Sequence, residues 1–132
     1  MNKSSRQELV DYRLRRARAT VSELDILIHN KFWNTAINRM YYACFYAVTA
    51  LLSQNQIDVQ THSGVRQMFG LHFVKPGKVS MDKGKLYSDL FDLRQSSDYN
   101  DFIDFREEDV RELIDRVKEF VSEIEKLVQS GR

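Results

Sequence analysis

Two stretches of this chain carry residue types able to handle a charged or proton-bearing ligand: Asn38-Arg39 with Tyr42 and Tyr46, and Arg94-Gln95-Ser96-Ser97-Asp98-Tyr99. Arg94 and Tyr99 lie about 140° apart around an ideal helix. They converge only if the helix ends or bends near Asp98, and the Tyr-Asn-Asp that follows suits such a break. The competing reading pairs Arg94 with Asp98 at i, i+4, with Tyr99 closing the helix by packing. In the other stretch Arg39, Tyr42 and Tyr46 fall at i, i+3 and i+7 and share one helical face, which Asn38 borders. An arginine in so apolar a segment must reach solvent, an acidic partner or a phosphate, because burying it unpaired is prohibitive. Either Arg39 pairs with a carboxylate of a neighbouring helix while the tyrosine hydroxyls find backbone acceptors, or the face contributes to a ligand cleft.

Other chemistry is poorly supported. There is no phosphate-binding glycine loop, no Cys/His metal spacing, no HExxH and no GxSxG. His29, His62 and His72 are far apart and match no metal-ligand pattern, so no metal and no cofactor are expected. Cys44 is the only cysteine and sits inside an apolar run, which excludes an intramolecular disulfide and predicts a buried thiol.

Helices must position these residues. With one proline and five glycines in 132 residues, and no linker or repeat, the pattern reads as a single domain over 1–132 built from helices with short connections. Val10, Leu14, Ala17, Val21, Leu24 and Ile28 recur at steps of four and three, predicting a helix over about residues 5–30. A second, over about 32–54, carries Trp33, Ala36, Ile37, Met40, Cys44, Val48 and Leu51 and is expected to be the most buried. Thr61 can cap a shorter helix over 61–74, before Pro76-Gly77 forces a loop. Leu86, Leu90 and Leu93 mark a helix over 81–98. The last has a start signal resembling a capping box, Asp104 followed by Glu107, then a stripe from Val110 to Val128. The fold expected is all-α, an up-and-down four-helix bundle with one additional short helix.

Charge names no partner in bulk, since the net value is +1. Its distribution is uneven: residues 1–20 hold six basic and two acidic side chains, whereas residues 98–125 hold eleven acidic and four basic. Arg13, Arg15, Arg16 and Arg18 point around a helix rather than along one face. A solvated helix beside the acidic C-terminal one is therefore favoured over a phosphate-facing patch. The longest nearly apolar run, Ala43 to Leu52, is half of what a membrane span needs, and no apolar signal core opens the chain. A cytoplasmic protein without membrane contact is expected.

Asn38-Arg39-Met40-Tyr41-Tyr42-Ala43-Cys44-Phe45, then Thr61-His62-Ser63-Gly64-Val65, then Phe73-Val74-Lys75 before a glycine-containing loop, and Leu93-Arg94 with Asp98-Tyr99 resemble the small stand-alone HEPN-domain proteins of bacteria and archaea. The resemblance spans about residues 6–127 and is carried by the order and spacing of four blocks. It implies a helical bundle, a homodimer, and in many cases a minimal nucleotidyltransferase partner in a toxin–antitoxin pair. It also implies metal-independent ribonuclease activity from an arginine followed four to six residues later by a histidine. Arg94 matches that arginine, but Tyr99 stands where the histidine belongs. A phenol with an ordinary pKa of about 10 is a poor base at neutral pH. The resemblance thus implies a weak or degenerate ribonuclease that binds RNA or nucleotide through Arg94, Asp98, Tyr99, Asn38, Arg39, Tyr42 and His62. His62 could supply the missing imidazole if the third helix folds over the fourth. A further implication is that Tyr99 accepts a nucleotide from the partner enzyme. The alternative is a non-catalytic dimeric module that binds such a nucleotidyltransferase.

Overall fold

The computed structural model describes residues 1–99 and 105–132, without the side chains of residues 97–99. Five α-helices follow one another: α1 (Lys3–His29), α2 (Trp33–Gln54), α3 (His62–Phe69), α4 (Met81–Tyr99) and α5 (Glu107–Ser130). A π-helical turn, Gly70–Val74, extends α3. The described residues contain no strand.

α1 starts earlier than its apolar stripe because the Asn2 side chain accepts the Ser5 N–H at 2.8 Å. α1 and α2 end in the same way. After α1, Lys31 N–H donates to the Ile28 carbonyl and Phe32 N–H to that of Leu27; after α2, Gln56 N–H donates to Ser53 and Ile57 N–H to Leu52. This paired closure requires a left-handed residue just past the helix, and Lys31 (φ 61°) and Gln56 (φ 60°) occupy it in place of the usual glycine. The short connection turns α2 back antiparallel along α1: Arg6 donates to the Ser53 carbonyl, Arg13 to that of Thr49, and Arg39 to Glu23.

α2 is the central element, as its composition predicts. It buries residues on nearly every turn from Ala36 to Ser53, including Cys44, and packs against α1, α4 and α5. The expected third helix is not α-helical throughout. Beyond Phe69 the Lys75 N–H reaches back five residues to the Gly70 carbonyl, and this wider turn lets Phe73 follow Phe69 into the core while Leu71 and His72 stay exposed. The following crossover is tethered by the Val79 N–H to the Phe73 carbonyl, with Gly77 at φ 82° making the turn after Pro76.

On α4 the buried positions are Leu86, Tyr87, Leu90, Phe91 and Arg94, with Leu93 half-buried at the edge. α5 starts at Glu107, and Asp104, on which the expected capping box rests, is not among the described residues. Arg106 is the N-cap and makes no side-chain capping bond. Glu107, Glu108 and Asp109 put three carboxylates at the positive end of the helix dipole instead. α5 lies against α1, joined by Arg18–Glu125 in the sense the charge distribution suggests and by Lys118–Asp25 in the opposite sense, while Arg132 just past α5 pairs with Asp11.

Candidate functional site

Arg94 sits three residues after Phe91 and four after Leu90, on the stripe of α4 that faces the core. Its side chain therefore turns inward and is 8% exposed. The guanidinium carbon lies 4.8 Å from the centre of the Tyr41 ring and 5.8 Å from that of Tyr42. Stacking of a planar, weakly hydrated cation on aromatic faces offsets part of its desolvation. Asp98 and Tyr99, the partners expected for Arg94, have side chains outside the described residues.

His62 approaches the same ring from α3. The Thr61 hydroxyl accepts the Gly64 N–H at 3.0 Å and caps α3, so that His62 begins the first turn. Its Nδ1 is 2.7 Å from the Tyr41 hydroxyl, and its ring stacks on Phe45 at 4.4 Å and meets the edge of Tyr42 at 5.8 Å. Burial, and after it the charge of Arg94, pushes the imidazole below its ordinary value. Burial also pushes the Tyr41 phenol up to about 12, which keeps its hydroxyl protonated. A neutral imidazole thus faces a neutral phenol near a cation. When Tyr41 donates to Nδ1, Nε2 carries the proton; when Nδ1–H donates to Tyr41, the Nε2 lone pair is free. One side chain can therefore either accept or deliver a proton at Nε2.

The second candidate stretch divides. Arg39 donates to Glu23 Oε2 at 3.3 Å and to the Thr20 hydroxyl at 3.4 Å, so it takes the expected carboxylate partner on a neighbouring helix. Its guanidinium also stands 5.6 Å from the Tyr42 ring, on which Arg94 packs as well. Tyr46 differs from expectation. Its hydroxyl accepts from Arg16 at 3.2 Å rather than finding a backbone group of its own, because the antiparallel hairpin sets Arg16 opposite it. Asn38 is half-buried on α2, one turn before Tyr41 and Tyr42.

Arg39, Tyr42, His62 and Arg94 are thus gathered around one aromatic cluster, although they come from three helices. The cluster's hub, Tyr41, was not among the candidates. It is fully buried and touches Tyr42, Phe45, Tyr87 and Phe91 as well as His62 and Arg94. A signal for it existed, since Tyr41 stands four residues after Ile37 and three before Cys44 on the core stripe. A tyrosine in that position needs a partner for its hydroxyl. Among the described residues no group of three or more His, Cys, Asp or Glu side chains is set to hold a metal ion. Nor is any described helix long and apolar enough to cross a membrane.

Comparison with known proteins adds the following. The profile described as HEPN domain matches residues 10–127. A UPF0332 protein of Thermotoga maritima is 37% identical over 126 residues, covering 96% of each chain. Two proteins of Methanocaldococcus jannaschii, each bearing the name "Putative toxin", are also similar. One is 32% identical over 94% of this chain and 96% of its own, and the other 27% identical over 89% and 80%.

Proposed function

The chain belongs to the HEPN domain family, and from that premise we propose that it is a toxin-type protein that binds RNA and cleaves it weakly, without a metal, with His62 as the proton-transfer group and Arg94 as the fixed cation. The toxin designation of the two Methanocaldococcus relatives supports the biological class. The observation that carries the chemistry is the placement of His62 and Arg94 on a common ring, Tyr41. In the reaction, His62 Nε2 takes the proton of a ribose 2′-hydroxyl and the 2′-oxygen attacks the adjacent phosphorus. The bond to the 5′-oxygen then breaks, leaving a 2′,3′-cyclic phosphate, and the imidazolium returns its proton to the departing oxygen. Arg94, nine-tenths buried, contributes a charge that water screens little, which favours the extra negative charge of the phosphorane. Tyr99 then need not act as a base. The protein works in the cytoplasm as a homodimer, and its partner is a minimal nucleotidyltransferase.

A second reading draws on the burial of Arg94 itself. Held against Tyr41 and Tyr42, it can serve packing alone, in a non-catalytic dimeric module that binds the nucleotidyltransferase. A cleavage assay on mixed RNA with chelator present separates the two. Wild type is expected to cleave, and Arg94→Ala and His62→Asn, at matched folding, to lose on the order of a hundredfold or more in rate. Absence of cleavage by wild type in excess over RNA sinks the ribonuclease and leaves the binding module. Unchanged rates in His62→Asn would show that another group moves the proton.

A further inference from the structure

Beside His62, between α1 and α2, runs an open groove of about 540 Å3 whose lining includes Tyr12, Arg13, Arg16, Phe45, Tyr46 and His62. Its lining holds no carboxylate. Of the basic cluster on α1, Arg18 turns away to Glu125 on α5, whereas Arg13 and Arg16 face α2. Arg16 lies 5.1 Å from the centre of the Tyr46 ring and hydrogen-bonds its hydroxyl, so the phenol fixes one side of the guanidinium. Arg13 is anchored by a 3.3 Å bond to the Thr49 carbonyl. The Tyr12 ring is 52% exposed and so open to a ligand. Phe45, half-buried at the groove, stacks on His62 and so joins it to the site around Tyr41.

We propose that this groove is a base-stacking track for single-stranded RNA, in which Tyr12 and Tyr46 receive unpaired bases and Arg13 and Arg16 hold the phosphates between them. The track rests on the ribonuclease reading and names the substrate class of that same site. Each base offers an aromatic face, and tyrosine rings interleaved with arginines match the repeat of a single strand better than that of a duplex, whose bases already stack on one another. A strand lying along the track would deliver a backbone ribose to His62, where its 2′-hydroxyl is needed. An acidic peptide would satisfy the arginines but would leave the exposed ring of Tyr12 without a function.

The test uses a short, fluorescently labelled single-stranded oligoribonucleotide of mixed sequence, 2′-O-methylated so that it cannot be cut, with binding read as anisotropy. Tyr12→Ala and Arg16→Ala change exposed side chains, and circular dichroism confirms their folding. Each is expected to weaken binding on the order of tenfold. Arg16→Ala should in addition lower the slope of log affinity against log salt by about 0.7, the value for one phosphate contact on a single strand. The annealed duplex should bind more weakly than the single strand. Equal affinity of both variants and wild type, equal affinity for the duplex, or no binding by wild type would each overturn the track. Because the probe is uncleavable, variant-sensitive binding together with no cleavage of ordinary RNA would support the track and overturn the ribonuclease alone.

Discussion

At the residue scale the decisive group is His62, which combines a buried partner, an aromatic stack and a nearby cation. Burial, and after it the charge of Arg94, disfavours imidazolium, so its folded-state pKa lies below the ordinary 6.5. The sign follows by linkage. The stability contributed by neutral His62 is complete above about pH 6.5 and is lost as pH falls through the lower folded pKa, since the unfolded chain takes up the proton first. Urea denaturation of wild type and His62→Gln between pH 7.5 and 5 should therefore show the wild type losing stability more steeply on acidification. Parallel curves would mean that His62 does not titrate abnormally. The same depressed value places a base-limited cleavage rate on its plateau at neutral pH, with a fall only on acidification. Arg94 and His62 were both singled out in the sequence. Tyr41, which joins them, was not, because a tyrosine on a core stripe reads as packing until the group reaching its hydroxyl is known.

At the element scale the helix ends show what periodicity cannot. Lys31 and Gln56 both adopt a left-handed conformation that costs an ordinary residue about 1 to 2 kcal/mol, whereas glycine adopts it freely. Glycine also loses more chain entropy on folding, so Lys31→Gly and Gln56→Gly are each expected to stabilise by a net of about 0.5 to 1 kcal/mol, seen as a higher urea midpoint at unchanged slope. A lower midpoint would show that the side chains contribute more than the strain costs. Gly84 argues in the opposite direction. Replacing a glycine inside α4 with alanine gains about 1 kcal/mol in helix propensity. A Cβ there, however, would stand 2.9 Å from both γ-carbons of Val74, a stiff side chain that ends the π-helical turn. Overpacking should win, with a net loss on the order of 1 kcal/mol. A stabilised Gly84→Ala would show that the turn yields.

At the scale of the whole molecule the bundle is held by its core rather than by the charges that decorate it. Phe120 is fully buried and packs on Phe69 at 5.9 Å and Tyr87 at 6.1 Å. The Lys118–Asp25 pair joins α5 to α1 at 3.1 Å, but its side chains are 38% and 71% exposed. Phe120→Ala is expected to cost about 3 to 5 kcal/mol and Asp25→Asn less than about 1 kcal/mol. Comparable losses in denaturant titrations would refute that ranking.

The sequence by itself determined the helices and their buried faces, because helical order is local: apolar residues at steps of three and four, one proline and few glycines leave a single way to hide the stripes. It also pointed to α2 as the central element. Only the tertiary structure decided that His62 of α3 and Arg94 of α4 meet on Tyr41 of α2, and that two of the four clustered arginines border a shared groove while a third turns to α5. Those contacts join residues far apart in the chain, and their geometry depends on how the π-helical turn and the crossover set α3 and α4 against α2. No spacing along one helix encodes that.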